Sequence, residues 1–315
     1  MPKAFYLLLF LPLFFNGQDG IVTDFGKISI PGPAGDYHFI HNRDLYVEKL
    51  DTLPRTLFWR KLVRLSPDSA ILSFYSDRKI ISTEACSKWE KMSEVRQKAV
   101  RDSIKTAFGR DSSEKVLFTK GKSDFYKIED VVADITRGIL VFENNGVDPF
   151  YAQAILLIES PGRLQKSPVG AYGPFQIMKK VGLRMGLTIN AKVEERADYE
   201  RDDWAAAKLI RTVCIPYTNA MLEKRGMAWC ETDLWYRLLV LHTYHAGAGN
   251  VEKVLAAINP EVGNMDLIKK IWVTKAGAFG NSSQNYSQLA IATLLELDKL
   301  MGYQLSLTST SQVIE

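Results

Sequence analysis

The sequence predicts a mainly α-helical protein. Helical patterning runs almost unbroken from residue 128 to near the C-terminus, residues 53–109 carry a second helical stretch, and no period of 20 to 50 residues signals a solenoid. At 315 residues, with 46% hydrophobic and 24% charged side chains, the chain can bury a full core as one large domain or two smaller ones. That composition excludes a disordered or fibrous chain.

At the N-terminus, Lys3 precedes a twelve-residue apolar run (residues 4–15), and Asn16-Gly17-Gln18 follows with a small residue suited to cleavage. This is the pattern of a secretory signal, so residues 1–17 are expected to be a leader and the mature protein to be exported to the periplasm or beyond, in a bacterium. Neither this run nor any later segment reaches the roughly 20 apolar residues of a membrane span. No cysteine follows the run, so no lipid anchor is expected. The net charge of +4 falls to +3 without Lys3, far short of a nucleic-acid-binding stripe. Of the three cysteines, Cys214 and Cys230 could bridge and leave Cys86 free.

Residues 18–46, rich in Gly, Pro and β-branched side chains, read as loop or short strand. In the 53–109 stretch, Ser66-Pro67-Asp68 offers a helix start, and a helix opening at Ser93-Glu94 should end at Gly109. Residues 116–119 read as an isolated strand. From residue 128 the helices should break at 144–148, 160–172 and 276–283. The expected organisation is a leader (1–17), a mostly helical N-terminal region of unknown role (18–127), a catalytic domain (128–303) and a tail (304–315).

The chemistry gathers in the second half. Asp148-Pro149 is a strong helix start, and residues 151–158 are almost wholly apolar. Pro161 disfavours helical geometry at Ser160, which leaves Glu159 in the last turn of a buried helix. Desolvation and the negative end of the helix dipole both disfavour its anion, so the carboxyl should stay protonated near neutral pH, as a general acid requires. Next come glycines that let the backbone approach a ligand, and an amide, Gln176, among apolar residues.

Three fragments in order, Glu159-Ser160, Gly170-Ala171-Tyr172-Gly173-Pro174-Phe175-Gln176-Ile177-Met178 and Tyr244-His245-Ala246-Gly247, resemble the motifs of the soluble lytic transglycosylase family. Ser283-Gln284-Asn285-Tyr286 resembles its late tyrosine motif. Glu194-Glu195-Arg196-Ala197-Asp198 with Ala205-Ala206-Ala207-Lys208-Leu209 is similar to its intervening turn and alanine-rich helix. The resemblance covers residues 128–303. It implies a lysozyme-like (goose-type) helical domain whose groove takes peptidoglycan glycan strands and leaves 1,6-anhydro-N-acetylmuramic acid ends. It further implies Glu159 as acid and then base, Tyr244 hydrogen-bonded to Glu159, Ser160, Gln176 and Met178 at the sugar site, and Tyr286 closing the groove. The chain departs from the family at His245, where asparagine is usual, and at Gln284, where an acid is usual.

The residues themselves point to one carboxylate, whereas ordinary glycosidases pair two about 5 to 9.5 Å apart. A hydrolytic lysozyme on the same fold and a non-catalytic glycan-binding module are the alternatives. No cofactor or metal is expected, since His242 and His245 lack a third ligand and Gly247-Ala248-Gly249 lacks the third glycine of a dinucleotide loop.

Overall fold

The computed structural model describes residues 26–30, 36–121, 128–159 and 166–302. The expected leader, the tail and Ser160 lie outside the described residues. Strands β1 (Lys27–Ile30) and β2 (Tyr37–Ile40) form an antiparallel hairpin, with Lys27 opposite Ile40. The short helix α1 (Asp44–Val47) and helix α2 (Pro54–Val63) follow, α2 with its proline in the first turn, where no amide hydrogen is needed.

Residues 66–85 depart from the helical expectation. Ser66-Pro67-Asp68 opens a turn into β3 (Ser69–Phe74), with the hydroxyls of Ser66 and Ser69 donating to the Asp68 carboxylate. Strand β3 is the centre of an antiparallel sheet between β4 (Ile80–Ala85) and β5 (Val116–Lys120). The 116–119 segment is therefore a paired edge, running from Val116 opposite Phe74 to Lys120 opposite Ala70, and the expectation of an isolated strand is corrected. Between β4 and β5 lie α3 (Cys86–Glu90) and α4 (Glu94–Ala107). Helix α4 starts where the sequence placed it, the Ser93 hydroxyl accepting from the Arg96 amide, and Gly109 leaves it with φ of 60°.

The remainder is helical around two short strands. Helices α5 (Ile128–Asn144) and α6 (Phe150–Glu159) lead to the hairpin β6 (Ala171–Tyr172) and β7 (Ile177–Met178). Then come α7 (Lys179–Met185), α8 (Tyr199–Leu209), a π-turn over Ile210–Cys214, α9 (Ile215–Glu223), α10 (Leu234–Ala246), α11 (Ala248–Ile258), α12 (Met265–Ile271) and α13 (Asn281–Leu300).

Helix α6 is the axis of the core, buried at every residue from 150 to 158. Its one polar side chain inside, Gln153, accepts from the Ile40 amide and donates to the Ile40 carbonyl, both at 2.7 Å, and so pairs with β2 as a further strand would. Helix α13 is equally enclosed. Its Glu296 receives Arg60 of α2 and Arg64 at that helix's C-terminal cap, and its Asp298 receives the Tyr46 hydroxyl at 2.9 Å and faces His41 at 3.2 Å. One hydrophobic core consequently runs from Phe39 through α6 to Leu297. Among the described residues no helix is long and apolar enough to cross a membrane.

The three cysteines are free. Cys214 is buried in the π-turn while Cys230 sits exposed with its sulfur beside the Thr232 hydroxyl, so the Cys214–Cys230 bridge that the sequence left open is not formed.

Candidate active site

The position of Glu159 follows from how α6 is fixed at its other end. Asp148 Oδ1 accepts from the Phe150 amide and caps the helix, while Oδ2 receives Arg237 Nε of α10 at 2.7 Å. The apolar body of α6 then carries Glu159 to the edge of the core, where it is partly covered. Burial pushes its carboxyl up to about 7, against a smaller downward pull from a hydrogen bond with the Tyr286 side chain. The carboxyl thus keeps its proton to a higher pH than a solvent-exposed glutamate does.

Two cavities meet at this carboxyl. One, of about 270 Å³, lies toward the β6–β7 hairpin and is lined by Gln176, Met178, Tyr244 and His245. The other, of about 650 Å³, runs between α13 and the N-terminal region, lined by Trp59, Phe118, Asn285 and Tyr286 among others. Glu159 is the sole carboxylate lining either cavity among the described residues.

The hairpin is held from behind. Gly173 has φ of 87°, and a Cβ there would stand 2.1 Å from the Arg196 carbonyl oxygen and 2.7 Å from Asp202 Oδ2, so only glycine fits. The Phe175 amide donates to Asp202 Oδ2 at 2.8 Å, and its carbonyl accepts the Tyr244 hydroxyl at 2.6 Å. With both backbone groups of Phe175 taken, Gln176 is held in left-handed geometry (φ 50°), its amide donating to the Gly173 carbonyl. The buried Arg196 bonds the carbonyls of Gly170 and Ile177 and pairs with Glu194, tying both ends of the hairpin to the turn before α8.

The structure therefore brings Glu159, Gln176, Met178, Tyr244, His245 and Tyr286 to one cleft. Two tyrosines differ from expectation. Tyr244 spends its hydroxyl on the Phe175 carbonyl, and Tyr286, buried on α13, lines the larger cavity beside Glu159 and lowers its pKa. His245 is exposed and stacks on Tyr286 with ring centroids 4.2 Å apart, joining the ends of α10 and α13. His242 is buried against the Ser287 hydroxyl at 2.8 Å, and desolvation lowers its pKa to about 3, so it is a neutral core residue. Sequence reasoning missed Asp202. Its signal was a carboxylate inside an alanine-rich helix, four residues after the Asp198 that caps α8. Burial pushes Asp202 up to about 8 and Asp203, near Arg137, to about 7.

Residues 142–260 match the family model described as the transglycosylase SLT domain. That span contains Glu159, Gln176, Met178, Tyr244 and His245 and ends before Tyr286. No curated protein matches the chain. With its motifs gathered on a lysozyme-like helical fold, this stretch of the chain is similar to the transglycosylase SLT domain and consistent with the soluble lytic transglycosylase family.

Proposed function

We propose that the protein is an exported lytic transglycosylase that cuts the β-1,4 bond between N-acetylmuramic acid and N-acetylglucosamine. The observation that carries this reading is a single desolvated carboxyl, Glu159, at the junction of two cavities with no second acid lining either among the described residues. Protonated Glu159 gives its proton to the glycosidic oxygen as the bond to the anomeric carbon breaks, and N-acetylglucosamine leaves as an alcohol. The muramyl 6-hydroxyl oxygen then bonds the anomeric carbon and its proton returns to Glu159. No water is consumed, so no base is needed to activate one.

In this reading Tyr286 orients the Glu159 carboxyl and steadies its anion between the two half-reactions. Gln176 and Met178 line the sugar subsite on the hairpin side, and Ser160 follows the acid in sequence. Tyr244 acts through the Phe175 carbonyl, by fixing the turn that carries Gln176, and His245 covers the face of Tyr286.

Digesting purified peptidoglycan in ¹⁸O-labelled water tests the reaction. Mass spectrometry should find muropeptides ending in unlabelled 1,6-anhydro-N-acetylmuramic acid. Labelled reducing ends would make the enzyme a hydrolase, and intact glycan with wall binding retained would make it a binding module.

A further inference from the structure

The larger cavity does not end at the sugar-sized space beside Glu159. It adjoins a further cavity of about 230 Å³, and Tyr75, Arg78, Asn281 and Asn285 line both. Tyr75 and Arg78 come from the N-terminal region and Asn281 and Asn285 from α13, all outside the span that matches the SLT family. Arg78 sits in the β3–β4 turn with φ of 62°, a conformation that costs a side-chain-bearing residue energy and is kept where surroundings enforce it. Its guanidinium lies over the Phe58 ring, 4.9 Å from the centroid. Its Nε is buried and has no hydrogen-bond partner among the described residues.

Arg55, from the first turn of α2, lines the same outer cavity and gives part of its guanidinium to the Ser76 carbonyl. The two guanidinium groups are close enough to repel, and among the described residues neither makes an ion pair. The nearby acid, Asp77, is engaged by Arg110 at 2.6 Å. Two desolvated, like-charged groups on one cavity wall are unfavourable in isolation and complementary to an anion, and a planar carboxylate matches their paired N–H donors.

We propose that Arg55 and Arg78 bind a carboxylate of the peptide stem on the muramyl residue, and that this chain reads the stem through its N-terminal region. The inference rests on the reading of the cleft as a glycan site. In a stem-bearing strand the lactyl carboxyl is consumed in the amide bond to the peptide, so the free carboxylates belong to the stem. In a stripped strand the lactyl group itself carries the charge.

The test is calorimetric binding to the Glu159→Gln protein of two probes, a peptidoglycan tetrasaccharide bearing tetrapeptide stems and the same tetrasaccharide stripped by an amidase. The stem-bearing probe should bind about tenfold more tightly, as hydrogen bonds to charged groups allow. Arg78→Gln, and independently Arg55→Gln on another element, should bring the ratio of the two affinities close to one, while Arg78→Lys retains part of it. Unchanged thermal midpoints confirm that the variants fold. A loss confined to the stripped probe would assign the arginines to the lactyl carboxylate, equal losses on both would assign them to the glycan itself, and no loss on either would remove them from binding, so each overturns the proposal. Cleavage that makes anhydro ends without stem preference overturns this inference alone, whereas failure to bind either probe overturns the glycan reading together with it.

Discussion

In the proposed reaction Glu159 sets both the chemistry and its pH range. Because burial holds the carboxyl at about 7, well above its ordinary value of 4.5, the free enzyme loses its acid as pH rises through 7. We expect kcat/KM on soluble glycan to show one descending limb with a midpoint near pH 7. The same shift opposes folding. Above 4.5 the unfolded chain ionises this carboxyl while the folded one keeps its proton, so stability falls as pH rises from 4.5 to 7 and stays lowered beyond. Glu159→Gln should therefore be inactive, yet more stable than the parent at pH 8 by about 2 kcal/mol once cleft water screens the full shift, with the gap closing at pH 4. Urea titrations at the two pH values measure it. Tyr286 lowers the pKa of this carboxyl, so Tyr286→Phe should move the descending limb to higher pH while cutting turnover. An unmoved limb would return the orienting role to another residue. The place of Glu159 at the end of a buried helix was legible from Asp148-Pro149 before the apolar run and Pro161 after it in the sequence. Which tyrosine reaches it was not, since that depends on how α13 packs across the end of α10, far away in sequence.

Among the elements, the β6–β7 hairpin shows most directly how small residues become machinery. Its motif was readable as a glycine-bearing loop, but the buried groups behind it, Asp202 and Arg196, lie in segments that read as an ordinary turn and helix. Gly173→Ala should cost more than about 2 kcal/mol, from strain at φ of 87° and collision with the Arg196 carbonyl. Turnover should fall at temperatures where the protein is still folded, because the Phe175–Gln176 turn loses its register. Activity equal to the parent in the folded range would show that the turn does not position Gln176. The strands of the N-terminal sheet were illegible for a related reason. Strand β3 is buried at five consecutive positions, Ala70 to Phe74, so it lacks the alternation that marks a half-exposed strand. A short apolar run after Ser-Pro-Asp is equally compatible with a helix.

At the scale of the whole molecule, the Gln153 side chain joins the N-terminal hairpin to the axis of the core. The Ile40 amide hydrogen is held by a side chain from the middle of α6, among residues that are all buried. Solvent reaches that amide only if the hairpin lifts off α6 or the core opens. The exchange clock of one proton near the start of the chain therefore reports on the platform under the acid. In deuterated buffer the Ile40 amide should exchange at the slow rate of the α6 interior amides and far more slowly than its β1 neighbours, and both should speed up together when Gln153→Ala is introduced. Early exchange at Ile40 in the parent protein would mean that the strand breathes independently of the helix.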